Sequence, residues 1–124
     1  MPSTVIYLDY SHQRREALSK VSAEDEIGLI ACDIAAAKTR VDCQEEISLV
    51  ASYALGWPDK YQADLEGLLS HFDEGETPVI AVIGSGTLAR LKLSHGRRSE
   101  KCIICSGATD LAARLGKEAK RIIP

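Results

Sequence analysis

Two joints of the same kind constrain what this chain can fold into. "VIGSGTLARLKL", residues 82–93, and "IICSGATDLAARLGK", residues 103–117, share one plan. Each runs from a β-branched apolar stretch through Ser-Gly, with a threonine close behind, into an Ala/Leu/Arg segment. β-Branched runs fit the pleated surface of a strand. Glycine lets the backbone turn tightly and come close to a neighbour, and Ala, Leu and Arg continue readily as helix. A strand–turn–helix joint used twice points to an α/β fold, in which helices return the chain between mostly parallel strands.

The remaining elements follow from spacing and caps. "TVIYLDY" is β-branched and aromatic and predicts a strand buried on both faces. Ser11 is placed to cap a short helix over Arg14–Val21. "IGLIACDI" has the hydrophobicity of a strand. However, Ser22 and Asp25 form a capping-box-like start, and Ile27, Ile30, Ala31, Ile34 and Ala35 fall at helical spacing. With Lys38 and Arg40 where the helix dipole favours cations, the pattern predicts a helix over Ala23–Thr39. Asp42 and Glu45 open another, with Ile47, Val50, Ala51, Ala54 and Leu55 as its stripe and Gly56 and Pro58 as its stop. A further helix starts at Asp59, buries Tyr61, Leu65, Leu68, Leu69 and Phe72, and closes at Gly75. "TPVIAVIG" and "KCIICS" are strands, and the last helix begins at Thr109 or Asp110. Gly116 either ends that helix or weakens its middle, so residues 120–123 close as helix or as a short edge strand. The expected architecture is a helix-rich single α/β domain over residues 1–124. Its helices pack around a small, mostly parallel sheet of three or four strands.

Composition narrows the class. The length is that of one domain, and 45% hydrophobic residues is too many for a disordered chain. With only 5% aromatics, the core is aliphatic. No apolar run approaches the ~20 residues that span a bilayer, and the N-terminus lacks the basic and apolar regions of a signal peptide. The expectation is a soluble, cytoplasmic protein without a membrane segment. Cys102 and Cys105 form a C-x-x-C, but residues three apart on a strand point to opposite faces. Buried thiols are expected there, not a zinc site. Charge is segregated: residues 42–76 carry nine acids against Lys60 alone, and residues 90–121 carry nine bases against three acids. Such asymmetry suits a polyanion-binding end or complementary self-association into a homo-oligomer.

In parallel α/β sheets, ligands bind outside the carboxyl ends of the strands. The three legible ends are "LDYSH", "IGSGT" and "CSGATD". They nominate Asp9, Ser11 and His12; Ser85, Gly86 and Thr87; and Ser106, Gly107, Thr109 and Asp110. Glycine turns and helix N-termini favour an anion such as phosphate. Arg97 and Arg98, in "KLSHGRRSEK", add charge that phosphates would meet. Neither a Walker loop nor the dinucleotide fingerprint is present, and no Ser/His/Asp or Cys/His set presents itself. The expectation is a binding protein for a phosphate-bearing ligand, a nucleotide or RNA, with no metal and no cofactor assigned. The alternative is an interaction or inhibitor module that meets a protein partner through acidic segment 42–76, on helices 43–55 and 59–73.

Two stretches resemble known families. "CIICSGATDLAARLGKEAKRI" resembles the last strand and helix of PIN-like and NYN nucleases, where the strand ends in Ser-Gly-Asp-x-Asp followed by an apolar residue. Asp110 matches the second acid, and Ala108 stands where the first would be. "IYLDYS" resembles the first strand of that group, with Asp9 at its metal-binding acid. The resemblance implies a metal-dependent ribonuclease, with Asp9 and Asp110 among the carboxylates around magnesium or manganese. "LGWPDKYQADLEGLLSHF" is similar to the inhibitory helix region of barstar-like proteins through Leu55, Gly56, Pro58, Tyr61 and Leu65. Lys60 and Ser70 depart from it where an aromatic residue and an acid are expected. That similarity implies an acidic face that binds a basic partner.

Overall fold

A computed structural model describes residues 4–24, 28–75, 77–84 and 102–122. Strand β1 (Val5–Asp9) lies inside the sheet with every residue buried, as its unbroken apolar run requires. Helix α1 (His12–Glu24) follows, started by Ser11, whose Oγ accepts from the Arg14 N–H at 3.2 Å. Next come β2 (Leu29–Cys32), α2 (Ile34–Asp42), β3 (Leu49–Tyr53), α3 (Asp59–Glu74) and β4 (Val79–Val82). The described chain closes with β5 (Cys102–Ile104) and α4 (Ala108–Ile122). All five strands are parallel, in the order β2-β1-β3-β4-β5. The α/β class is as expected, but the sheet has five strands, not three or four.

The helix expected over Ala23–Thr39 does not exist as one element. α1 runs on to Glu24, with Ser22 buried inside it, not capping a new helix. Leu29–Cys32 then pairs with β1, Val5 opposite Leu29 and Leu8 opposite Cys32. A four-residue apolar run satisfies helical and extended spacing equally well. The choice is made by β1, whose backbone N–H and C=O groups on that edge need partners once buried. Asp33 then starts α2, its Oδ1 accepting from the Ala36 N–H at 2.8 Å.

The helix expected over Asp42–Leu55 is also corrected. Asp42 ends α2, and Gln44 takes a left-handed conformation (φ 55°). Arg40 Nη1 then holds both oxygens of Glu45, at 2.7 and 2.8 Å. This clip turns the chain into β3, which pairs with β1 from Val5–Leu49 to Asp9–Tyr53. An acidic helix 43–55 is therefore absent, and of the acidic segment only α3 is helical. Gly56 sits in the loop from β3 to α3 at φ 79°, where an L side chain would be strained.

The other elements match expectation closely. α3 buries Leu65, Leu68, Leu69 and Phe72 and is closed by Gly75. The last helix begins at Ala108, one residue ahead of Thr109, and runs through Gly116 to Ile122. Residues 120–122 are thus helical, not an edge strand. Alternation along the strands sorts the core into two layers. Ile6, Leu8, Val50, Val79 and Ala81 face α2 and α3. Val5, Tyr7, Leu49, Ala51, Ile80 and Val82 face Leu18 of α1 and Leu111, Leu115 and Ala119 of α4. Full burial of each large side chain contributes about 1.5–3 kcal/mol. Among the described residues, no helix is long and apolar enough to cross a membrane.

Candidate functional site

The strand order places a crevice. β2 lies on one side of β1 and β3 on the other. α1 leaves β1 toward one face of the sheet, whereas α3 leaves β3 toward the opposite face. Where successive strands depart in opposite directions, the turns at their carboxyl ends separate, and α/β sheets bind ligands in that gap.

One wall of the gap is built on Asp9, which is completely buried. Its Oδ2 accepts from the Tyr7 hydroxyl and from Arg14 Nε at 2.9 Å. Its Oδ1 accepts from the Ser11 N–H at 2.9 Å and from Arg14 Nη2 at 3.0 Å. Arg14 lies over the Tyr53 ring at 4.0 Å, so one guanidinium ties the end of β1 to the end of β3. Burial, followed by the hydrogen bond to Asp9, pushes the Tyr7 hydroxyl far above the usual tyrosine range. The bidentate bond to Asp9 raises the Arg14 guanidinium further, against a smaller opposing effect of burial. A buried charge is tolerated when paired and hydrogen-bonded in this way. Asp9 therefore braces the turn.

The opposite wall is a cavity of about 290 Å³, lined by Tyr10, Arg15, Asp33, Ile34, Ala35, Trp57 and Tyr61. Tyr10 stacks on Trp57 with ring centroids 5.6 Å apart, and Tyr61 meets both rings edge-on. Trp57 is fixed in place: its Nε1–H donates to the Tyr53 carbonyl at 2.8 Å, and its own carbonyl accepts from Gln62 at 3.1 Å. Tyr10 is 42% exposed, so the cluster offers an aromatic face to solvent. Arg15 Nη1 donates to the carbonyls of Asp9 at 2.6 Å and Tyr10 at 3.3 Å, which anchors the guanidinium at the end of β1. Asp33 sits at the end of the neighbouring strand, β2. A second cavity, about 270 Å³, lies between α1 and α4 against Leu18, Val21, Leu111 and Ala112. It is mostly aliphatic; Thr109 and Tyr7 also line it, and the Tyr7 hydroxyl and its one ionic group, Arg14, are both already committed to Asp9. The aromatic cleft has the convergent polar groups that fix a ligand's orientation, and the aliphatic one does not.

The residues nominated from sequence fare unevenly. Asp9 lies at the crevice, but within its framework. Ser11 caps α1, and exposed His12 pairs with Glu16 at 3.1 Å. Ser106 donates its N–H at 3.0 Å and its hydroxyl at 3.4 Å to Asp110, closing the start of α4 on itself. Gly107 accepts from the Leu111 N–H at 2.9 Å, and Thr109 is exposed in the first turn. Ser85, Gly86, Thr87, Arg97 and Arg98 lie outside the described residues. Cys105 is buried, and burial raises its thiol to about 11. Among the described residues, no group of three or more His, Cys, Asp or Glu side chains could hold a metal ion. Arg15, Asp33, Tyr10 and Trp57 are not among the sequence candidates, and Tyr61 enters there only as a buried helix residue and a match to the barstar-like region. One signal for them was available: Asp33 ends an apolar run immediately before "IAAAK", an N-cap position at a strand end. The aromatics cluster only through the pairing of β1 with β3. No protein-family model matches the chain, and no curated protein matches it significantly.

Proposed function

We propose that the chain binds a phosphate-bearing ligand, a nucleotide or the terminal nucleotide of an RNA, in the cleft at the carboxyl ends of β1, β2 and β3. The observation that carries this is the meeting of an aromatic wall and an anchored guanidinium where the strand order reverses. The rings of Tyr10 and Tyr61 offer stacking to a base, a contact of about 1–3 kcal/mol. Arg15 offers the fork geometry that phosphate accepts. At about 290 Å³ the cleft lies at the lower end of small-molecule sites, the scale of a single nucleotide.

Trp57 is the single tryptophan, so the cleft reports on itself. Titration of purine and pyrimidine nucleoside phosphates should change its fluorescence saturably. Arg15→Ala should weaken binding about tenfold, as loss of a charge-assisted contact does, and should flatten its salt dependence. If no nucleoside phosphate perturbs Trp57 or shifts the melting temperature, the chain is not a nucleotide binder.

A further inference from the structure

We propose, on the premise that the cleft takes a nucleotide, that Asp33 reads the sugar, so that the site selects ribonucleotides over 2′-deoxyribonucleotides. The cleft holds two ionic groups of opposite sign, Arg15 and Asp33, and no ion pair among the described residues joins them. Arg15 is anchored to the backbone carbonyls of Asp9 and Tyr10. Asp33 is held by its cap: Oδ1 accepts from the Ala36 N–H at 2.8 Å, which orients the carboxyl group and leaves Oδ2 without a bond among the described residues. Its residue is exposed on the cleft side of β2.

A carboxylate repels phosphate and accepts only from donors. A ribonucleotide carries such donors as the vicinal 2′- and 3′-hydroxyls, between its base and its phosphate. Three chemically distinct groups line the one cavity. Trp57 and Tyr61 lie beyond the end of β3, Tyr10 and Arg15 at the end of β1, and Asp33 at the end of β2. With the base against the rings and the phosphate on Arg15, Asp33 is the remaining ionic group of the cleft and the one that can accept from the sugar hydroxyls. The cap makes this acceptor inexpensive to hold in place, because the side chain is already ordered when the ligand arrives.

The test uses the full chain, with the four ribonucleoside 5′-monophosphates and their 2′-deoxy counterparts as probes. Affinities come from Trp57 fluorescence and calorimetry. Wild type should bind each ribonucleotide about tenfold more tightly than its deoxy partner. Asp33→Ser retains a good N-cap but leaves no second acceptor oxygen. It should bring ribonucleotide affinity down to the level of the deoxynucleotides measured on the same variant, and melt within a few degrees of wild type. Asp33→Asn, also a good cap, should narrow the ratio as well. Equal wild-type affinity for the two sugars overturns the inference while nucleotide binding stands. A ratio that survives Asp33→Ser does the same. So does an Asp33→Ser effect that separates bases with an exocyclic amino group from those without one, and not ribose from deoxyribose. Absence of binding by every probe removes the nucleotide function and this inference together.

Discussion

Asp9 is a carboxylate with no solvent exposure, and both of its oxygens are occupied by donors from Tyr7, Ser11 and Arg14. Removing it leaves a buried tyrosine hydroxyl and a guanidinium without their acceptor. Breaking a buried pair from one side costs about 3–5 kcal/mol. Arg14 is partly exposed and can rehydrate, which puts Asp9→Ala near the lower figure. Tyr7→Phe deletes one hydrogen bond to a charge and should cost about 1.5–3 kcal/mol. Urea midpoints read from Trp57 give both values, and the double variant should cost less than their sum because the two share a network. A loss below about 1 kcal/mol for Asp9→Ala would remove the bracing role. The residue was visible in the sequence as a strand-end acid. Its role was not, because Tyr7 and Arg14 become its partners only when β1 and α1 fold against each other.

Two glycines show how an element decides the sign of one substitution. Gly67 lies on the exposed face of α3, and a Cβ built there meets nothing within 4 Å. Gly67→Ala should therefore stabilise the protein by about 0.5–1 kcal/mol, through helix propensity and the lost freedom of the unfolded chain. Gly56 is equally uncrowded but has φ 79°. Gly56→Ala should destabilise by about 1 kcal/mol, from backbone strain alone. Melting curves that move both variants in the same direction would contradict this. Elements of this length were legible where the chain repeats its signal: α3 shows Leu65, Leu68, Leu69 and Phe72 over several turns. The strands Leu29–Cys32 and Leu49–Tyr53 offered only four and five residues each. Nearby acids and small residues completed a false helical pattern around both.

At the scale of the molecule, the sheet divides the core into two layers, and each layer contains a buried thiol. Cys32 belongs to the layer under α2 and α3, and Cys105 to the layer under α1 and α4. Burial raises both thiols, Cys105 from 9.0 to about 11. In a Cys43→Ser/Cys102→Ser background, neither should react with a disulfide reagent at pH 8 until the domain unfolds. If the two layers melt as one unit, both should label at the same rate across denaturant. Labelling of one well before the other would show that the layers open separately. The raised pKa values also set a direction with pH. Stability from the buried neutral Cys105 thiol is intact below pH 9 and is lost as the pH rises toward 11, because the unfolded chain releases the proton first, and Cys32 acts in the same direction.

The chain's own chemistry determined which segments are apolar, where glycine, proline and capping residues interrupt them, and that the class is α/β with a mostly parallel sheet. That is enough for β1, α3, β4, β5 and α4, whose signals are long or flanked by clear stops. Tertiary structure alone decided that Leu29–Cys32 and Leu49–Tyr53 are strands, because a short apolar run adopts whichever backbone satisfies its neighbours' hydrogen bonds. Those two pairings set β1 between β2 and β3, and only then do Tyr10, Arg15, Asp33, Trp57 and Tyr61 line one cavity. Periodicity is a local property of the chain. Strand pairing is cooperative over tens of residues, and a cleft assembled across three strand ends has no local signal to read.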